Sequence, residues 1–157
     1  MSVIQSLIGF LGRALLSLIF LASGINQILN WDTTLQLLQR TLNDSLVSAM
    51  QNPLLSQGIE WAAGQAFVLL VLAVVFQLLG GLMVFLGINT RFGAMLLLLF
   101  VIAATGLFHQ FWALQGADRD LQMIMFLKNV SIAGGLLFII AYGNGRCTIK
   151  KQEAPAV

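Results

Sequence analysis

The sequence predicts an all-α membrane protein, a bundle of four transmembrane helices, and three observations support this fold class. Hydrophobic residues make up 59% of the 157 positions, where soluble domains carry about 45–50%. Charged residues make up only 9%, too few to coat a water-soluble surface of this size. Four long runs contain no charged residue, at positions 14–31, 61–90, 92–117 and 129–145. The hydrophobic surface is therefore expected to face lipid.

Each uncharged run accounts for one membrane crossing, because a hydrocarbon core about 30 Å thick needs about 20 helical residues. Alternating polar and apolar residues are absent from these runs, which disfavours barrel strands. Backbone polar groups in hydrocarbon must then bond within their own segment, which leaves helices. A cleaved signal peptide ending at Ala22-Ser23-Gly24 is disfavoured, because the segment before Arg13 is long and apolar. We predict one integral membrane domain over residues 1–157, with transmembrane helices at 12–29, 65–86, 92–112 and 121–142.

The segment after the first transmembrane helix predicts an amphipathic helix over residues 32–51. Its apolar side chains recur every three or four positions, which is the spacing of one helix face. Asn52-Pro53 predicts the end of this helix. The helix either lies on the membrane interface or caps the end of the bundle. The apolar stripe consists of Trp31, Leu35, Leu38, Leu42, Leu46 and Met50.

The charges between the helices predict the orientation of the chain in the membrane. The two loops that follow the first and third transmembrane helices contain two basic residues, Arg40 and Arg119. The opposite side carries five basic residues, and cytoplasmic segments are the ones enriched in Lys and Arg. We therefore predict cytoplasmic termini and a cytoplasmic tail over residues 143–157. The five basic residues are Arg13, Arg91, Arg146, Lys150 and Lys151.

The two halves of the chain resemble each other, which predicts a pseudo-repeat of two helical hairpins. Arg13 opens the first helix and Arg91 opens the third, and a double glycine followed by leucine occurs in the second and fourth helices. Such duplications are common in membrane folds. Glycine lets helix backbones approach closely in lipid, so these glycines are predicted to be helix-packing points. They are Gly80, Gly81, Gly134 and Gly135.

Several of these segments, in this order and spacing, resemble the DoxX family of small bacterial membrane proteins. The matching segments cover most of the chain from Gly12 to about Gly143: Gly12-Arg13-Ala14-Leu15-Leu16 with Phe20 and Ser23-Gly24, Gln77-Leu78-Leu79-Gly80-Gly81-Leu82 through Leu86-Gly87 to Thr90-Arg91, Phe108-His109, Lys128-Asn129 and Gly134-Gly135-Leu136. The resemblance implies a multi-pass protein of the bacterial inner membrane. Some relatives are linked to sulfur oxidation with quinone, others to oxidative-stress complexes, and distant ones to cargo export. Many relatives carry a glutamate where this chain has Gln77, so an acid–base role at that position is in doubt.

Ionisable and amide side chains inside a membrane are costly, which makes them candidates for a ligand site. Polar groups from several helices are expected at one depth near the non-cytoplasmic side, where they form a pocket for a small molecule or a quinone head group. Lys128 and His109 would donate hydrogen bonds to its carbonyl oxygens, and Trp112 would supply an apolar wall. In the alternative interpretation these residues are structural, with Lys128 reaching towards the membrane surface and the others bonding between helices. The candidate ligand-binding residues are His109, Lys128, Asn129, Gln110, Asn26, Gln77 and Trp112.

The sequence favours an accessory membrane subunit, or a subunit that binds a small lipophilic molecule. The alternatives are a quinone-interacting oxidoreductase subunit and a small-molecule transporter that acts as an oligomer. No complete catalytic constellation is present, so an enzymatic activity is left open, and no catalytic residue is assigned. One histidine and one cysteine predict no metal site, and no cofactor is predicted apart from a quinone. The expected partners are the lipid bilayer and a protein subunit or a second copy of the chain, and the scattered basic residues argue against nucleic acid.

Overall fold

A computed structural model of the chain describes residues 3–49 and 52–143. Within these ranges the chain forms six α-helices, one short 3₁₀ helix and no strands. Four of the helices are long and apolar enough to span a membrane, which confirms the predicted all-α membrane fold class. Large apolar side chains cover their outer faces, as expected for lipid contact. The helices are α1 Val3–Leu29, α2 Trp31–Ala49, α3 Pro53–Gly64, α4 Ala66–Leu86, α5 Thr90–Phe108 and α6 Gly116–Tyr142, with the 3₁₀ helix at Phe111–Ala113.

The four long helices pack in chain order, with α4 and α5 at the centre. α1 packs against α4, α4 against α5, and α5 against α6. The core between them contains Leu97, Val84 and Leu136, which are fully buried, and α6 contributes Leu136 and Ile139 to it. Phe20 of α1 stacks edge-on against Phe100 of α5 at 6.3 Å. α6 otherwise buries few residues and lies at the edge of the bundle.

The turn between α4 and α5 fixes this central pair. Gly87 ends α4 with a left-handed φ of 74° and donates its backbone N–H to the carbonyl of Val84. Glycine adopts this conformation without a Cβ clash, which is why it so often ends helices. Asn89, with φ 44°, then precedes α5, which begins at Thr90. The predicted helix over 92–112 therefore starts two residues earlier and ends at Phe108, with the 3₁₀ helix following it.

Glycines allow α4 and α5 to touch through their backbones. A Cβ placed on Gly80 would lie 2.8 Å from the backbone oxygen of Gly93, and one on Gly93 would lie 2.8 Å from the Cβ of Met83. Gly81 faces α1, where its Cβ would lie 3.0 Å from a methyl group of Leu21. The predicted pair in α6 is placed differently. A Cβ on Gly135 would make ordinary contact with Leu16, and one on Gly134 would meet nothing within 4 Å among the described residues.

The remaining helices, α2 and α3, form a hairpin across one end of the bundle, which we call the α2 end. Leu38 and Leu42 of α2 pack on Ala66, Leu70 and Val74 of α4, so the apolar stripe of α2 covers the bundle. This packing is the one expected of a helix that caps the end of the bundle. Met50, at the end of the predicted stripe, lies outside the described residues.

The helix α3 is a correction to the sequence analysis, which predicted no helix between residue 51 and the second crossing. Asn52-Pro53 begins this helix. The side chain of Asn52 accepts hydrogen bonds from the backbone N–H groups of Leu54 and Leu55, and Pro53 occupies the first turn, where a missing N–H costs nothing.

The other predicted bounds also shift. α1 begins at Val3 instead of residue 12, and α6 begins at Gly116 instead of residue 121. The proposed tail lies outside the described residues from position 144 onward.

Candidate functional site

An apolar groove runs between α4 and α5 towards the α2 end, and we call it the α4–α5 groove. Its volume is about 250 Å³. Alanines at Ala73, Ala103 and Ala104 leave space between larger side chains, because a methyl group fills little of the gap between two helices. Every side chain that lines the groove is apolar. They are Leu38 of α2, Leu69, Leu72, Ala73 and Phe76 of α4, and Leu99, Phe100, Ala103, Ala104, Leu107 and Phe108 of α5.

A second cavity of about 210 Å³ lies under α2 and carries polar groups; we call it the polar pocket. It shares two lining residues, Leu107 and Phe108, with the α4–α5 groove, so the two cavities adjoin across the last turn of α5. α2 covers both, since Leu38 lies over the groove and Thr41 and Ser45 follow on the same helix face at i+3 and i+7. The lining of the polar pocket comprises Thr41, Asp44, Ser45, Leu107, Phe108, Gln110, Ala113, Leu114 and Gln122.

The polar side chains of this pocket are held in place by hydrogen bonds. Gln110 donates its amide Nε2 to Ser45 Oγ at 3.3 Å and to the carbonyl of Gly106 at 3.2 Å, which joins α2 to the end of α5. Thr41 donates its hydroxyl to the carbonyl of Leu37 at 2.9 Å. His109 Nδ1 lies 2.7 Å from Gln122 Oε1, which joins the end of α5 to α6. The pocket is therefore assembled from three helices and the segment that links two of them.

Two more of the predicted ligand-binding residues form separate polar contacts between helices. Gln77 of α4 is 0% exposed and donates its amide Nε2 to Gln27 Oε1 of α1 at 2.8 Å. The buried Oε1 of Gln77 accepts no hydrogen bond from the described residues. Asn129 of α6 donates to Thr105 Oγ1 of α5 at 2.9 Å. Each contact bridges one pair of adjacent helices.

The other three predicted residues lie on the outside of the bundle or near its rim. Lys128 is exposed, and its Nζ lies 3.4 Å from the sulfur of Met125. Asn26 is exposed at the end of α1 and accepts a hydrogen bond from Asn30. Trp112 stacks with Phe111 and Phe126. Of the seven predicted residues, the structure places Gln110 in the lining of the polar pocket and His109 one hydrogen bond away from it.

Sequence reasoning missed most of the residues that line the two cavities. The helical pattern puts Asp44 on the water-facing side of α2, and the alanines of the groove look like ordinary membrane residues. One signal was available. Ser45 lies on the bundle-facing side of α2 and is buried, and a polar residue on a buried face needs a hydrogen-bonding partner. No three His, Cys, Asp or Glu side chains come together within residues 3–49 and 52–143 in a way that could hold a metal ion.

Comparison with known proteins gives a family and one named relative. A family model described as DoxX matches residues 8–110. The inner membrane protein YphA of Escherichia coli (strain K12) is 30% identical over 82 residues, which are 52% of this chain. The chain spans 59% of the length of that relative. No solved structure matches the chain significantly.

Proposed function

Because the chain belongs to the DoxX family and is a multi-pass inner-membrane protein, we propose that it is an accessory subunit that binds one small amphiphile. The hydrocarbon tail lies in the α4–α5 groove and the head group in the polar pocket. The adjacency of the two cavities carries this proposal, since Leu107 and Phe108 line both. A tail and a head joined covalently would pass this pair of side chains at the end of α5.

The sizes of the cavities favour one ligand that fills both. Sites for small molecules usually measure about 300–1,000 Å³. The groove, at about 250 Å³, and the pocket, at about 210 Å³, each fall below that range and reach it together. The groove alone would hold part of any lipid chain that drifts against the bundle. Occupancy of the pocket distinguishes a bound ligand from the surrounding lipid.

The chemistry of the two parts assigns different roles to them. A tail that moves from lipid into an apolar groove exchanges one hydrocarbon environment for another, so the hydrophobic effect contributes little. Its binding depends on van der Waals contact with the walls. The head group makes hydrogen bonds that lipid tails cannot offer. Affinity and selectivity therefore come mainly from the polar pocket.

The orientation of the protein is part of the proposal. The side of the membrane with fewer basic residues carries α2, α3 and the loop before α6, so the positive-inside rule places the polar pocket at the periplasmic face. The termini then lie in the cytoplasm. The ligand would enter sideways from the outer leaflet of the inner membrane, where the α4–α5 groove faces lipid.

A photoactivatable amphiphile tests the proposal. An alkyl chain with a diazirine near its end, incorporated into membranes that contain the protein, should label the groove residues of α4 and α5, and mass spectrometry would locate the label. Ala103→Phe fills the groove and should abolish that labelling. Ala22→Phe is the matched control, since Ala22 is an exposed alanine on α1 away from the groove. Labelling spread evenly over all outward-facing residues, unchanged by Ala103→Phe, would refute the proposal.

Two rival functions are separated by experiments on the purified protein. A quinone extracted in equal amount to the protein would support the quinone-interacting oxidoreductase subunit. Uptake of a solute into proteoliposomes would support the transporter. An accessory subunit that holds an amphiphile other than a quinone should give neither result.

A further inference from the structure

We infer that the outward side of α6 is a docking surface for one transmembrane helix of another protein, and that this helix carries an aspartate or glutamate that pairs with Lys128. We call this surface the α6 face. It consists of Lys128, Ser131, Gly134 and Phe138, which follow one another at intervals of three or four residues and are all exposed. The inference rests on the accessory role in the proposed function and deepens it by naming the kind of partner.

The α6 face is open because α6 packs on the bundle along one side only. It is the least buried of the four membrane-spanning helices, and its buried residues in the described chain are Leu136 and Ile139. A Cβ on Gly134 would meet nothing within 4 Å among the described residues. Small residues let a second helix approach closely in lipid, where van der Waals packing is the main attraction. The α6 face therefore has room for a further helix, although an open face alone would suit lipid equally well.

Lys128 distinguishes the α6 face from a surface built for lipid. It is the thirteenth of the 27 residues of α6, counting from Gly116, and lies about 12 Å along the helix axis from Asp120 at 1.5 Å per residue. A lysine side chain can turn back towards the membrane surface, but its Nζ lies 3.4 Å from the sulfur of Met125. Met125 is itself about 8 Å from the level of Asp120. The ammonium thus lies within the apolar part of α6, where an unpaired charge is costly.

No described group of this chain neutralises the charge of Lys128. Its ammonium forms no ion pair with a carboxylate of the described residues, and its polar contact is the sulfur of Met125. Ser131, the other polar side chain of the α6 face, donates its hydroxyl to the carbonyl of Leu127 at 3.0 Å. Lys128 is therefore the group of this face that needs a partner. A carboxylate at the same depth would pair with the ammonium, which hydrocarbon cannot do.

A second copy of the chain cannot supply that carboxylate. Positions 1–31, 61–117 and 121–152 contain no Asp or Glu, so no membrane-spanning helix of this chain has one at the depth of Lys128. A symmetric contact through the α6 face would also bring two Lys128 side chains towards each other, and like charges repel. Lipid phosphates lie outside the hydrocarbon core, with the charged residues that open α6. The partner is therefore a different protein with an acidic residue inside a transmembrane helix.

Fluorescence energy transfer in liposomes tests the inference with two model helices. One is a leucine–alanine transmembrane peptide with a single central glutamate and an acceptor dye, and the other has glutamine in place of the glutamate. The full chain carries a donor fluorescent protein fused after Val157 and is reconstituted in phosphatidylcholine. The wild type should bind the glutamate peptide about fivefold more tightly than the glutamine peptide, a typical strength for a polar contact between model membrane helices.

Variants of the α6 face identify the groups responsible. Lys128→Met keeps a side chain of similar length without its charge and should remove the preference for glutamate, whereas Lys128→Arg should retain it. Gly134→Leu fills the open space and should weaken the binding of both peptides. Ala22→Leu is the matched control, since it adds the same side chain to an exposed alanine of α1, and it should bind both peptides as the wild type does.

Four results would overturn the inference. The first two are equal binding of the two peptides by the wild type and a preference that survives Lys128→Met. Loss of the preference when phosphatidylglycerol replaces part of the phosphatidylcholine would assign Lys128 to a lipid phosphate. Energy transfer between two tagged copies of the chain that Gly134→Leu abolishes would assign the α6 face to a second copy. Ala103→Phe should lose the amphiphile and keep the preference for glutamate, so the proposed function and this inference fail in separate experiments.

Discussion

The close contact between α4 and α5 makes opposite predictions for two glycines that the sequence presents as equivalent. Gly80→Ala places a methyl group 2.8 Å from the backbone oxygen of Gly93 and 3.0 Å from Leu97 Cγ. The backbone oxygen cannot rotate away, so the two helices must separate. Gly134→Ala places the same methyl group where nothing lies within 4 Å among the described residues. The first change should destabilise the bundle, and the second should not.

The magnitudes follow from the two environments. Overpacking of a tight contact costs about 1–3 kcal/mol, and the higher helix propensity of alanine offsets at most about 1 kcal/mol of it. With the middle of that range, about 2 kcal/mol, and an offset of about 1 kcal/mol, Gly80→Ala should lower the free energy of unfolding by about 1 kcal/mol. Gly134→Ala avoids the clash and should leave it unchanged, or raise it by up to about 1 kcal/mol.

Reversible unfolding in mixed micelles, followed by circular dichroism as the fraction of denaturing detergent rises, measures both values. The two variants serve as each other's control, since each adds one methyl group to a transmembrane helix. A Gly80→Ala variant as stable as the wild type would refute the tight contact between α4 and α5. So would a Gly134→Ala variant that proved the more destabilised of the two.

Three further predictions concern polar side chains and orientation. Gln27→Ala should destabilise the protein by about 1 kcal/mol because it leaves the buried amide of Gln77 short of an acceptor. A double-mutant cycle between Gln27 and Gln77 should give a coupling energy of about 0.6 kcal/mol. Zero coupling in the same unfolding assay would contradict the contact. Lys128→Ala should leave lipid retention in native mass spectrometry unchanged, because Lys128 is exposed outside both cavities, and a loss comparable to that of Ala103→Phe would place the ligand elsewhere. A green fluorescent protein fused after Val157 should fluoresce and an alkaline phosphatase fused there should be inactive, whereas the reverse result would invert the proposed orientation.

The number and kind of the membrane helices could be predicted because charge is excluded from hydrocarbon. The uncharged runs mark the four membrane crossings, however the helices pack against one another.

The helix α3 was missed for a physical reason. Asn52-Pro53 can end one helix and begin the next, since asparagine caps an N-terminus and proline suits the first turn. At 12 residues α3 is too short to cross a membrane, so the uncharged runs did not mark it.

The candidate site was harder to predict because the position of a residue along a helix gives its depth in the membrane but not the direction in which its side chain points around the helix axis. Lys128 and Asn129 are neighbours at nearly the same depth, yet successive residues point about 100° apart around a helix. Lys128 consequently faces outward while Asn129 bonds to Thr105 inside the bundle. Which residues converge depends on the rotation of each helix. That rotation is set by contacts such as Gly80 against Gly93, and the sequence alone does not reveal them.

The pairing of α4 with α5 also decides where space remains. The α4–α5 groove exists because Ala73, Ala103 and Ala104 face each other across the same interface, and no property of a single helix predicts that arrangement.

The predicted pseudo-repeat stays a prediction. Its two double glycines have different surroundings, since Gly80 and Gly81 contact other helices and Gly134 does not.

The central claim is that one amphiphile occupies the groove and the pocket together, and a count of retained lipid tests it most directly. The protein is washed extensively in detergent and then examined by native mass spectrometry as wild type, Ala103→Phe and Ala22→Phe. We predict one retained amphiphile per chain for the wild type and for Ala22→Phe, and none for Ala103→Phe. An equal count in all three proteins, whether one or none, would contradict the claim.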